Sequence, residues 1–279
     1  MRKEVFGDAT LYCGDCFEVL PALDFKGLDL LLTDPPYGCT RNTWDTAIDL
    51  QAFGSLVWPM LKSNAALLLF SRQPFTTEIL CNFRKIFRYE LIWHKDWASR
   101  FIDCHRMPLP QHENILVFYE SLPTYNPQMY DSGKSLQDRT GRAQEKSPES
   151  WNKFKRIDGW KDSGQRYPKS IIQIRAENDF FKKNDYERHP TQKPVTLMSY
   201  LIKTYTNLQE TVLDPFMGAG STGVAALKCG RKFVGVEREE KYFDTACYRM
   251  EKALQEMSLL ASVQPQKQPE QISLMAEAL

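Results

Sequence analysis

Apolar positions along this chain follow two periods that alternate. Nearly continuous apolar runs at Leu28-Asp29-Leu30-Leu31-Leu32 and 65–70 read as strands buried on both faces. Residues 9–13, 211–214 and Lys232 to Glu237 read as strands too, with further ones at 89–94 and 114–119. Between them the apolar spacing turns helical: 16–23, 49–62 (Leu50, Phe53, Leu56, Val57, Met60, Leu61), 75–86, 195–206, 221–229 and about 239–257. Strands alternating with helices predict an α/β fold, a mostly parallel sheet with helices on both faces.

The pattern breaks in three places. Residues 38–48 are polar around Trp44 and read as a loop. From 120 to 188 long apolar periodicity disappears, and 14 Lys/Arg stand against 11 Asp/Glu. There Lys153, Lys155, Arg156, Lys161 and Arg166 lie among Trp151, Phe154, Trp160 and Tyr167. Basic groups can meet phosphates while aromatic and polar groups meet bases; a solvated loop is the plainer reading. From Ser262 onward, glutamines and prolines read as a flexible tail.

Composition changes this picture little. With 36 basic and 35 acidic residues the net charge is +1, so a nucleic-acid surface would have to be local. No apolar run approaches the roughly 20 residues of a membrane span, and the first residues lack the apolar core of a signal peptide. Seven scattered cysteines suit a reducing cytoplasm. Cys13 and Cys16 are the one close pair, without histidines at ligand spacing, so no metal site is expected.

Two stretches carry candidate chemistry. Thr33-Asp34-Pro35-Pro36-Tyr37-Gly38 follows the 28–32 strand, and its prolines must end that strand in a stiff loop. Ligands bind at the carboxyl end of such strands. A carboxylate (Asp34), a backbone carbonyl (Pro35) and a ring (Tyr37) suit a flat base with an exocyclic amine. The plainer reading is an ordinary turn. Downstream, Gly218, Gly220 and Gly223 match G-x-G-x-x-G after a strand, with Glu237 19 residues beyond the first glycine. That pattern fits any adenosine-containing cofactor, a nicotinamide included. Asp214 ahead of the turn would repel a pyrophosphate yet suit an ammonium, which favours S-adenosylmethionine.

With both stretches in one chain, the sequence resembles the amino-group DNA methyltransferases of the β arrangement. Asp34-Pro35-Pro36-Tyr37 comes first and Asp214-Pro215-Phe216-Met217-Gly218-Ala219-Gly220 last, over about residues 9–250. The resemblance implies a Rossmann-like methyltransferase in circularly permuted order. It divides the chain into a catalytic half (1–119), a target-recognition insertion (120–188), a cofactor half (189–258) and a tail (259–279). It implies transfer of a methyl group to N6 of a flipped adenine in duplex DNA, with Asp34, Pro35, Pro36 and Tyr37 catalytic.

For S-adenosylmethionine it implies Phe216, Gly218 and Gly220 around the methionine, Asp214 at the donor's polar end and Glu237 on the ribose. Asp15 and Cys16 would lie beside the adenine. Thr191 and Lys193, in His189-Pro190-Thr191-Gln192-Lys193-Pro194, could reach the methionine carboxylate. The target would meet Trp44, Ser71, His94 and Lys95, with Lys153, Arg156 and Arg166 as further DNA contacts. Cytosine-N4 transfer uses the same geometry, although that branch more often starts the motif with serine. RNA methylation, a non-catalytic DNA-binding relative and, remotely, a nicotinamide oxidoreductase stay open. A bacterial or phage cytoplasm is the expected setting; a homodimer and a restriction partner are left open.

Overall fold

The computed structural model describes residues 1–23, 25–38, 46–131, 164–175 and 192–263. The catalytic half holds β1 (Arg2–Phe6), β2 (Ala9–Cys13), α1 (Cys16–Ala22), β3 (Leu28–Thr33), α2 (Leu50–Val57), β4 (Leu61–Ser71), α3 (Phe75–Phe83), β5 (Phe87–His94) and β6 (His112–Phe118). Three short strands follow: β7 (Tyr130–Asp131), β8 (Gln165–Arg166) and β9 (Ile171–Gln173). The last part holds α4 (Val195–Tyr205), β10 (Thr211–Asp214), α5 (Ser221–Lys228), β11 (Lys232–Glu237) and α6 (Glu240–Val263).

Among the described residues nine strands form one sheet, ordered β1-β2-β11-β10-β3-β4-β6-β5-β9. From β2 to β4 every neighbouring pair is parallel; β6 runs against both β4 and β5. Because side chains alternate along a strand, each central strand feeds two cores. Leu30, Leu32, Leu68, Phe70 and Val212 pack with Leu201 of α4, Val224 of α5 and Phe243 of α6. Leu31, Leu67, Leu69 and Leu213 pack with Leu20 of α1, Phe53 of α2 and Ile79 of α3. Burial on both faces explains why these strands read as apolar runs rather than as alternating ones.

The strand order reverses direction between β10 and β3. After β10 the chain crosses by α5 to β11 on one side; after β3 it crosses by α2 to β4 on the other. Such a switch point opens a crevice at the carboxyl ends of the strands. Both motifs, 34–37 and 214–220, leave the sheet there.

Local chemistry explains where elements stop. Asp15 caps α1 by accepting from Phe17 N, and Asp49 caps α2 by accepting from Gln51 N and Ala52 N. The helix expected over 49–62 ends at Val57 in a 3-10 turn, Trp58–Met60, because Pro59 biases its predecessor away from continued α geometry and brings no N–H. In contrast, α6 continues beyond 257 to Val263, into the stretch read as tail; the first breaker in its path is Pro265. The 120–188 stretch also joins the sheet, since β9 pairs with β5 in parallel. Asn126 N donates to Thr204 O at the end of α4. No helix among the described residues is long and apolar enough to cross a membrane.

Candidate active site

The carboxyl ends of β2, β11, β10, β3 and β4 border a cavity of about 850 Å³, which also receives Glu113 from the start of the antiparallel β6. That volume lies in the range of small-molecule and cofactor sites. Asp15, Glu237 and Glu239 stand toward one end of the strand order, Asp34, Tyr37, Arg72 and Glu113 toward the other, with Asp214 and Phe216 between.

Asp34 follows the last residue of β3, and its carboxylate side chain is 19% exposed. The Tyr37 hydroxyl donates to Oδ1 at 2.5 Å, and the Lys193 ammonium donates to Oδ2. The Tyr37 ring packs on Phe75, centroids 5.4 Å apart. Lys193 lies just before α4, also 3.3 Å from Glu113 Oε2, and Lys95 pairs with Glu113 Oε1. Charge therefore alternates through Asp34, Lys193, Glu113 and Lys95. Burial pushes the Asp34 carboxyl up; Lys193 opposes this and Glu113 adds to it. Burial works against charge on Glu113 too, but Lys193 and Lys95 outweigh it and hold that carboxyl at about 2. Burial would likewise drain Lys193 of its proton, yet its two carboxylates hold it above its ordinary value.

A second buried acid ties the two motifs together. Asp214 Oδ1 accepts from Thr33 Oγ1 at 2.6 Å and from Phe216 N at 3.1 Å, and Oδ2 accepts from Thr222 Oγ1 at 2.6 Å. Burial raises this carboxyl to about 6 against the pull of those three donors. Asp214 therefore braces the glycine turn from beneath as well as lining the cavity. Glu237 behaves similarly: Oε2 accepts from Gly218 N at 2.9 Å and Oε1 from Glu239 N at 2.7 Å, while burial lifts the group to about 7. Gly220 has φ +74°, and a Cβ there would stand 2.9 Å from Ala246 Cβ of α6. The turn thus lies almost directly on α6.

The structure brings Asp34, Pro35, Pro36, Tyr37, Asp15, Cys16, Lys193, Asp214, Phe216, Gly218 and Glu237 to one cavity. Gly220 is not among the lining residues and lies against Ala246 of α6. Burial pushes the Cys16 thiol up to about 12, so it is no nucleophile at neutral pH. Within that cavity the Lys193 ammonium pairs with Asp34 and lies 3.3 Å from Glu113, and its side chain is only 6% exposed.

Ser71, expected beside the target base, is sealed beneath the surface with its hydroxyl accepting from Thr76 Oγ1. Its neighbours Arg72, Gln73 and Pro74 line the cavity instead. His94 pairs in register with His112 in the sheet, Lys95 reaches the cavity only through Glu113, and Arg166 sits on β8; none of the three lines the cavity wall. Trp44, Lys153, Arg156 and Thr191 lie outside the described residues. Glu113 lies just ahead of the strand expected over 114–119 and belongs to no motif in the sequence. An acid opening a strand that returns antiparallel stands at the carboxyl edge of its parallel neighbours, and that is the signal by which it can be found.

The family model described as DNA methylase, for N6/N4 methyltransferases, matches residues 28–247. The DNA adenine methyltransferase YhdJ of Escherichia coli K12 is 24% identical over 255 residues, covering 88% of this chain and 83% of that protein. The structure of M1.HpyAVI with SAM superposes with a TM-score of 0.59 at 24% identity, over 87% of this chain and 98% of the other. The PvuII DNA methyltransferase, cytosine-N4-specific, superposes with a TM-score of 0.62 at 15% identity, over 92% and 93%. The sheet is thus the Rossmann-like sheet of DNA methyltransferases, and the chain belongs to the N6/N4 DNA methylase family.

Proposed function

We propose that this enzyme methylates N6 of adenine in duplex DNA, using S-adenosylmethionine. The observation that carries this reading is the Asp34 carboxylate, held by Tyr37 and Lys193 at the wall of the same cavity that Asp15, Asp214 and Glu237 line. Family likeness extends to a relative named for adenine and a neighbour named for cytosine. What favours adenine is the acid at the head of the motif, where the cytosine branch more often has serine.

The lining suits the cofactor. Half-buried acceptors at Asp15 and Glu237, with Phe17, Phe216 and Met217 between polar groups, match a ligand rich in hydroxyl and amino donors. Glu237, lifted to about 7 by burial, gains most from added donors such as ribose hydroxyls. When bound, S-adenosylmethionine supplies an electrophilic methyl group.

The chain's own residues act on the base. The target nitrogen lies inside the duplex, so its nucleotide must leave the stack at a cost of roughly a few kcal/mol. Tyr37 offers a ring against the flipped base, its back supported by Phe75. A carboxylate has about four lone-pair positions, and Asp34 spends one on Tyr37 and one on Lys193. The rest can accept an N–H of the exocyclic amine, while the Pro35 carbonyl takes the other. Two acceptors draw the lone pair out of conjugation and aim it. Positive charge then grows on nitrogen, and Asp34 stabilises it in a site of low dielectric. Pre-positioning accounts for much of the remaining acceleration.

The test is incubation with methyl-labelled S-adenosylmethionine and unmethylated duplex DNA, followed by digestion and mass identification of the labelled nucleoside. Label in N6-methyldeoxyadenosine is expected. Label in N4-methyldeoxycytidine would move the enzyme to the cytosine branch.

A further inference from the structure

Behind the Asp34 loop, one buried lysine is shared between two carboxylates. Lys193 donates to Asp34 Oδ2 and lies 3.3 Å from Glu113 Oε2, with side-chain exposures of only 6% and 8% for Lys193 and Glu113. Lys95 neutralises Glu113 from its other side. Such a set is weak evidence for stability, since apolar residues of similar volume often replace buried ion pairs without loss. Its position is more telling: it ends on the carboxylate that faces the cavity.

Two opposing requirements meet at that carboxylate. Left alone in a buried loop, Asp34 would take up a proton and present an O–H where an acceptor is needed. Paired with a lysine that had no other partner, it would be neutralised and could stabilise little further positive charge. Lys193 answers the first requirement, and Glu113, by drawing on the lysine's charge, answers the second. Among the described residues, other groups facing this corner include Tyr37 on the same loop, Asp214 from β10, and Arg72 after β4, which faces Tyr37.

We propose that Lys193 and Glu113 are positioning residues for methyl transfer: Lys193 keeps Asp34 charged and turned toward the cavity, and Glu113 holds part of the lysine's charge away from the reacting nitrogen. The inference rests on the reading of Asp34 given above. It also assigns Lys193 to the catalytic acid rather than to the cofactor's carboxylate.

The test is the pH profile of the single-turnover rate on unmethylated genomic DNA at saturating S-adenosylmethionine. The variants are Lys193→Met, Lys193→Arg, Glu113→Gln and Asp34→Asn, each titrated with S-adenosylhomocysteine as well. Lys193→Met should move the acid limb up by a pH unit or more and slow transfer at least tenfold at pH 7. Glu113→Gln should move the limb down, and Lys193→Arg should leave it near its original place. S-adenosylhomocysteine affinity should stay within about twofold throughout.

Limbs that stay fixed in both Lys193→Met and Glu113→Gln overturn the proposal. So does a tenfold loss of S-adenosylhomocysteine affinity in Lys193→Met with its limb unmoved, which would return the lysine to the cofactor. Should Lys193→Met not fold, Glu113→Gln decides alone: a limb that stays or rises overturns the proposal. An active Asp34→Asn would instead overturn the reading of Asp34 itself; an inactive one with fixed limbs overturns only the role of the lysine and Glu113.

Discussion

The Thr33 hydroxyl donates to the Asp214 carboxylate across 2.6 Å, joining the ends of β3 and β10 although the residues are 181 positions apart. One hydrogen bond thus spans the switch point and couples the Asp34 loop to the glycine turn. Thr33→Val keeps the shape and removes a donor to a buried carboxylate, whose Oδ1 then retains the Phe216 N–H. The expected cost is about 1–3 kcal/mol, read as a lowered urea midpoint. An unchanged midpoint would show that the bond contributes nothing.

Glu237 gives stability a definite pH dependence. Its folded value is raised from 4.5 to about 7, so the folded state keeps a proton that the unfolded chain has released. Its contribution is therefore full below about 4.5 and lost as pH rises through about 7, on the order of 3 kcal/mol. Glu237→Gln removes this dependence. Urea denaturation at pH 5 and 7.5 should show the parent losing more stability than the variant over that interval; equal losses would contradict the assignment.

The same group links pH to cofactor binding. Hydroxyl donors favour the charged carboxylate, so binding expels the proton. Affinity for S-adenosylhomocysteine should rise up to tenfold per pH unit between about 5 and 7 and level off above. Glu237→Gln should bind more weakly with no such slope.

Gly220 is pressed between conformation and packing. Its φ of +74° disfavours any side chain, and a Cβ would stand 2.9 Å from Ala246 Cβ and 3.3 Å from Ala246 Cα. Gly220→Ala should cost about 2–4 kcal/mol and weaken S-adenosylhomocysteine binding by displacing the turn from α6. Calorimetry of unfolding and of binding checks both effects.

Tyr37 combines two contributions that substitution can separate. Tyr37→Phe keeps the ring against Phe75 and loses the hydrogen bond to Asp34. Tyr37→Ala loses the stacking surface too. Single-turnover rates should fall by about tenfold in the first and by 10²-fold or more in the second, consistent with about 1–3 kcal/mol per stacked base. Equal losses would assign the whole effect to the hydroxyl.

The fold was legible where local and tertiary preferences agree. Leu28 to Leu32 and Val212 to Leu213 are apolar because both faces of their strands are covered, so their runs stood out. The prolines after Asp34 and the glycines after Asp214 then marked both ends of the crevice. Short edge strands escaped notice: β1 is mostly exposed, Arg2-Lys3-Glu4 carrying no apolar pattern, and β9 is three residues long. The partners of Lys193 escaped too. Asp34 is 159 residues away, and only the sheet order brings β6 and the approach to α4 against the β3 loop.

The most direct measurement is methyl transfer by Asp34→Ala, followed by mass identification of N6-methyldeoxyadenosine from digested duplex DNA. The parent protein should yield that nucleoside. The variant should yield none while still binding S-adenosylhomocysteine. Undiminished N6-methyldeoxyadenosine from the variant, or its absence from the parent's product, would contradict the assignment of Asp34 as the acceptor for an adenine amine.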